Sequence, residues 1–189
     1  MQIVNQPKRE IQTNETKSLA LNNELIKELR LTKELRTDNI SPKKKKYTEE
    51  EIIESYNSGR RDFREINARG VNLSYANLIG ANLANANLEG ANLSNAILNS
   101  ANLEGANLTN ADLSSANLGN ANLGNANLKK VIFTNANLTG ANLGNANLKK
   151  ANLESADLQE ANLADANLEG ANLVYVNLFD YAYCIYINI

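Results

Sequence analysis

Leucine returns at every fifth residue from Leu73 to Leu178, interrupted once by Phe133, and each is preceded two residues earlier by Ala or Val. From Val71 to Asp180 the chain divides into 22 units of five residues with no break in register. The third position is Leu in 21 of them. The first is Ala in 19, with Val71, Val131 and Val176 in the others. The second is Asn or Asp in 20, with Ile97 and Ile132 as the exceptions. The frame extends back through INARG (66–70) and RDFRE (61–65), where Phe63 holds the Leu position and Ala68 replaces Leu.

A period of five matches neither 3.6 nor 2, so neither a long helix nor a long flat strand gathers these leucines on one side. A helix turns about 500° in five residues, and its apolar stripe would wind around the axis. Eighteen Asn at fixed spacing in the 22 units also oppose helix. Disorder is opposed by apolar residues in unbroken phase. The pattern predicts a coil of short extended segments joined by turns, with Leu and Ala alternating along a narrow inner wall. Asn in the second position has a structural role, because its short side chain reaches local turn backbone. Ile97 and Ile132 put apolar groups where Asn is the rule. They either mark contacts with the N-terminal segment or, for Ile132 beside Val131 and Phe133, make a bulkier core wall, and the second reading is preferred.

The units resemble the pentapeptide-repeat family, whose pattern is A(D/N)LXX, over about residues 61–180. The resemblance implies an all-β solenoid, a right-handed quadrilateral β-helix in which four pentads make one coil of 20 residues. Phe63, Leu73, Leu93, Phe133 and Leu153 then belong to the structural core. The 24 pentads of 61–180 give six coils and a rod roughly 29 Å long at the sheet spacing. The segment ANLGNANLKK occurs at 121–130 and again at 141–150, a shift of one such coil. YNSGRRDFREI (56–66) resembles the opening of cyanobacterial members, in which a short helix ends in Gly, here Gly59, before the first inward Phe.

The two ends differ from the repeat. Residues 1–47 form an N-terminal extension with one helix at about 19–36, whose Leu21, Leu25, Ile26 and Leu29 make an apolar stripe. That helix docks on the rod, pairs with a second copy, or binds another protein, and Leu25 and Leu29 are candidate partner-binding residues. SPKKKKYT (41–48) reads as a basic linker. Thr48 followed by Glu51 is a capping-box signature, and 48–60 is expected to cap the N-terminal end of the coil, with Ile52, Ile53 and Tyr56 on the first turn. Residues 181–189 form an apolar C-terminal strand. An open apolar end must be covered or paired, so Phe179, Tyr181, Tyr183, Ile185 and Tyr186 are candidate contacts of an end-to-end homodimer. Dimers of this kind in the family add to that expectation.

The chain has 189 residues, no His, one Cys and a formal net charge of -2. No imidazole base, thiolate cluster or catalytic motif is present, so neither enzyme nor cofactor is expected. No apolar run is long enough to span a membrane, and no apolar signal region opens the chain, so a cytoplasmic location is expected. Within 71–180 there are nine acidic residues and four lysines. Those four, Lys129, Lys130, Lys149 and Lys150, fall one 20-residue coil apart in pairs. They make a candidate binding face for an anion or an acidic partner, against the plainer reading of a solvated surface. The expected function is a non-catalytic protein-interaction scaffold, with a regulatory role among its readings, and an unidentified protein partner. The alternative is a DNA mimic that inhibits or protects a type II topoisomerase, as some family members are, although the sparse acidity and the lysines oppose it. Direct nucleic-acid binding through Lys43–Lys46 is a weaker third reading.

Overall fold

The computed structural model describes residues 45–178. Contacts divide the chain into two units, Met1–Lys43 and Lys44–Ile189, and every described residue lies in the second. The expected helix at 19–36, with Leu25 and Leu29, lies outside the described residues. So do Phe179, Tyr181, Tyr183, Ile185 and Tyr186.

The repeat forms a solenoid in which each residue of the second position pairs in parallel with the residue 20 positions on, as in Asn72 with Asn92 and Asn92 with Asp112. Five residues per side and 20 per coil make four sides. The fold is the right-handed quadrilateral β-helix. Its faces are named here by their inward third-position residues. Face one carries Phe63, Leu83, Leu103, Leu123, Leu143 and Leu163. Face two begins at Ala68, face three at Leu73 and face four at Leu78, each continuing in steps of 20.

One pentad shows how the backbone is satisfied. Asn92 donates its N–H down to Val71 O at 2.9 Å, and Leu73 donates up to Asn92 O at 2.7 Å. Tyr75 donates up to Ser94 O at 2.9 Å, and Ala76 closes the β-turn on Leu73 O at 3.1 Å. The fourth-position N–H has no backbone acceptor. It donates to the second-position side chain instead, as Ser74 N does to Asn72 Oδ1 at 3.3 Å. This is why the second position is Asn or Asp. Where it is Ile97 or Ile132, that acceptor is missing. The turn also requires a positive φ at the fifth position, where Gly70 has 65° and Asn85 has 56°. Gly and Asn tolerate this left-handed conformation best.

The core is one column of Leu, Ala and Phe. Phe63, Leu93, Phe133 and Leu153 are fully buried and Leu73 nearly so. Val131 is also fully buried, but Ile132 points outward and is 38 % exposed. This corrects the preferred reading of Ile132 as core wall: the second position always faces out, whatever its polarity.

At the N-terminal end, helix α1 spans Glu49–Asn57. Thr48 accepts from Glu51 N at 3.3 Å and its own N–H donates to Glu51 Oε2 at 3.0 Å, which completes the capping box. Ile52 and Tyr56 are buried on the first coil and Ile53 is partly so. Tyr56 Oη donates to Ile79 O at 2.8 Å, tying the helix to face four. Before the helix, Lys46 pairs in parallel with Asn67, and Tyr47 N donates to Asn67 O at 2.7 Å. The end of the basic run is therefore an extra strand beneath face two. At the other end the core thins: Leu173 and Val176 are partly buried, and Val174, Tyr175 and Leu178 are exposed.

Candidate interaction faces

Among the described residues of the repeat, the side chains available for chemistry are those of the second, fourth and fifth positions, because the first and third fill the core. Along face two the fourth position reads Arg69, Glu89, Thr109, Lys129, Lys149, Glu169. The fifth reads Gly70, Gly90, Asn110, Lys130, Lys150, Gly170. The parallel pairing of Asn127 with Asn147 fixes this register, so Lys129 stacks with Lys149 and Lys130 with Lys150. All four proposed lysines thus share one face.

They are not electrically equivalent. Lys149 Nζ lies 2.6 Å from Glu169 Oε2 on the next coil, and Arg69 lies 3.0 Å from Glu89. The Lys149 hydrogen bond, then its charge, holds the Glu169 carboxyl below its ordinary range, and Lys150 adds to this. Lys129, Lys130 and Lys150 are exposed and form no ion pair with a described residue. Lys130 and Lys150 also occupy left-handed turns, with φ of 58° and 59°. The Lys149–Glu169 pair follows from the 20-residue register and could have been read from sequence once four-sided coils were assumed.

Face one is different in kind. Its second-position amides form an unbroken ladder: Asn102 to Asn82, Asn122 to Asn102, Asn142 to Asn122 and Asn162 to Asn142, each Nδ2 donating to Oδ1 at 3.0–3.3 Å. Beside it the fourth position is Ala84, Glu104, Gly124, Gly144 and Ala164. Fixed amides with small neighbours build a wall rather than a reactive site.

The N-terminal end holds an open recess of about 200 Å³ lined by Lys45, Tyr47, Arg60, Arg64, Glu65, Ile66 and Asn67. Its cations are already engaged. Lys45 pairs with Glu51 at 2.7 Å and Arg64 with Asp62 at 2.7 Å. Arg60 lies 4.8 Å from the Phe63 ring centre. Arg61 stacks at 3.8 Å on Tyr56. Arg61, which also donates to Tyr56 O at 2.8 Å, locks the end of α1 onto the first coil, a role that the charges alone did not announce. Among the described residues no group of three or more His, Cys, Asp or Glu could hold a metal ion, and no helix is long and apolar enough to cross a membrane.

A rigid four-sided rod with side chains displayed on flat faces defines a protein-binding repeat scaffold. The chain belongs to the pentapeptide-repeat family: the family described as pentapeptide repeats (8 copies) matches at 62–99, 76–114, 111–149 and 146–179. Among solved structures, it is similar to the pentapeptide-repeat protein Rfr23 from the cyanobacterium Cyanothece 51142. The identity is 32 %, over 67 % of this chain and 97 % of that one, with a TM-score of 0.50. HetL from Nostoc sp. strain PCC 7120, involved in heterocyst differentiation regulation, is 27 % identical over 67 % of this chain and 93 % of its own, with a TM-score of 0.37. QnrB1, a plasmid-mediated fluoroquinolone resistance protein, is 20 % identical over 63 % of this chain and 72 % of its own, with a TM-score of 0.39. No curated protein sequence matches significantly.

Proposed function

We propose that this chain is a non-catalytic scaffold that holds a protein partner against the faces of its solenoid. The observation that carries the reading is the fixed lattice of outward positions. In a regular pentad all five backbone N–H groups are engaged, so binding a partner costs little backbone ordering. Leu25 and Leu29 on the N-terminal extension add selectivity, and the C-terminal end joins two copies through Phe179, Tyr181, Tyr183, Ile185 and Tyr186. The exposed Val174, Tyr175 and Leu178 beside that end support the second contact. Cross-linking and affinity capture with the full chain, followed by the same capture with Leu25→Glu and Leu29→Glu, tests the first. A wild-type chain that retains no protein refutes the scaffold. Sedimentation at micromolar concentration tests the second, and a monomer refutes it.

One observation favours the alternative of topoisomerase mimicry. Glu154, Asp157, Glu160, Asp165 and Glu169 gather on the last coils, and no Lys or Arg occurs between 151 and 178. End-to-end pairing would join two such acidic ends. A gyrase supercoiling assay decides it: unaltered supercoiling and unaltered drug sensitivity at tens of micromolar protein remove this reading.

A further inference from the structure

The lysines of face two form a short positive band closed by a carboxylate on either side. Glu89 lies two coils before Lys129, and Glu169 one coil after Lys149. The two glutamates are four coils apart, about 19 Å at the sheet spacing. Between them stand Thr109, Asn110 and the four lysines. Stacked like charges at cross-strand distance are mildly unfavourable, and only Lys149 is compensated, by Glu169. Lys130 and Lys150 sit at turns where Gly and Asn fit best. The side chain of Lys150 runs beside Gly170, its Cγ 3.6 Å from where a Cβ would stand.

We propose that this band is the docking surface for a short acidic segment of a protein partner, a few carboxylates long and without acidic flanks. The inference rests on the scaffold reading and names the chemistry of its partner. Charge complementarity selects the anion, and the bracketing glutamates select its length. Charges act locally, over about 8 Å at physiological salt. A uniform polyanion laid along face two would run onto Glu89, held by Arg69 at 3.0 Å, at one end and onto Glu169 at the other. Laid across the rod, it would meet two coils only. Nucleic acid, which gains affinity by neutralising many phosphates in a row, is therefore a poor match. Glu169 acts as an internal competitor, because it occupies the ammonium that a partner carboxylate would take.

The test uses the full chain and a fluorescein-labelled peptide of four glutamates with a glycine and a lysine on each side, read by fluorescence anisotropy. A DNA duplex of about 20 base pairs serves as the second probe. Lys129→Thr, Lys130→Asn and Lys150→Asn are combined. These are the residue types that Thr109 and Asn110 supply at matching places, so the coil is preserved. The triple variant is expected to weaken peptide binding about tenfold, roughly twofold for each exposed ion pair removed. Glu169→Gln is expected to tighten it about threefold by releasing Lys149. Peptide affinity unchanged by the triple variant overturns the inference. So does DNA binding tighter than the peptide with the same dependence on the lysines. If the wild-type chain captures a host protein that the triple variant holds equally well, the scaffold stands and this face is removed from it.

Discussion

Asn142 donates Nδ2 to Asn122 Oδ1, 3.0 Å away on the preceding coil, and the same oxygen accepts the N–H of Gly124 at 3.1 Å. One side chain therefore closes its own turn and holds the next coil. Asn122→Ala loses both bonds and leaves the Gly124 N–H without its acceptor, at an expected cost of about 1–3 kcal/mol. Asn122→Asp keeps the acceptor but loses the Nδ2 donations to Asn102 Oδ1 at 3.2 Å and Glu104 Oε2 at 3.3 Å, and sets a carboxylate beside that of Glu104, so its loss should be no smaller. Thermal unfolding ranks the two, and an Asn122→Ala chain that melts with the wild type would show that the ladder adds no stability.

Ile132 is the converse case. It stands between Asp112 and Asn152 in the second-position column of face three, and it has no oxygen to offer Thr134 N. Ile132→Asn restores that acceptor and removes an exposed apolar group. It should stabilise the chain by roughly 0.5–1 kcal/mol, the net value of one hydrogen bond. The same change at Ile97 should act alike. Chemical denaturation checks both, and a loss of stability in both would mean that outward isoleucine is packed against something in the full chain.

The turn conformation leads to an opposed pair of substitutions. Lys130 has φ 58° and Gly140 has φ 66°. Lys130→Asn replaces a residue that resists this conformation with one that tolerates it, and should raise stability by a few tenths to about 1 kcal/mol. Gly140→Ala does the reverse and also brings a Cβ to 2.6 Å from Asn120 Oδ1, so it should cost about 1 kcal/mol or more. Opposite shifts in melting midpoint, with the loss at Gly140→Ala the larger, would confirm the turn assignment, and no shift at either site would contradict it.

How far the sequence announced this structure depends on the range of the interaction. Phe63, Leu73 and Leu153 are inward because hydrophobic phase is written every five residues, and phase survives without knowledge of the coil. Four-sidedness is a closure property, since a pentad does not state how sharply its turn bends. The resemblance supplied that number, and the pairing of Asn72 with Asn92 displays it. The left-handed fifth position was half legible in its Gly and Asn content, yet Lys130 and Lys150 concealed it. Ile132 was misread because hydrophobicity was weighed above position, whereas the pleat directs the second residue outward regardless of its type. The Lys149–Glu169 pair joins residues that only the register brings together, whereas Arg61 meets Tyr56 only five residues away, where the chain turns from α1 into the first coil.

Core energetics should follow position along the rod. Leu108 is fully buried in mid-rod, whereas Leu173 near the C-terminal end is only partly buried. Leu108→Ala should cost about 2–5 kcal/mol, as expected for a cavity that a stacked wall cannot collapse into. Leu173→Ala should cost less than half of that. If the two losses are equal in the full chain, the C-terminal end is covered, and sedimentation then tells whether a second copy covers it.

The acid limb of stability is the last expectation, and it turns on Asp62. Two hydrogen bonds from the Arg64 guanidinium, then one from its backbone N–H, lower the Asp62 carboxyl to about 2. The folded value lies below the unfolded one of about 4. The pair therefore contributes its full stability above about pH 4, and that contribution is lost as the pH falls through about 2. The carboxylate is open to solvent, so the effect is small and salt should weaken it. Melting midpoints of wild type and Asp62→Asn, followed from pH 6 to pH 2, should differ most at the upper end and converge at the lower. A gap that widened toward low pH would reverse the sign of the linkage and show that Arg64 does not hold Asp62 in the folded chain.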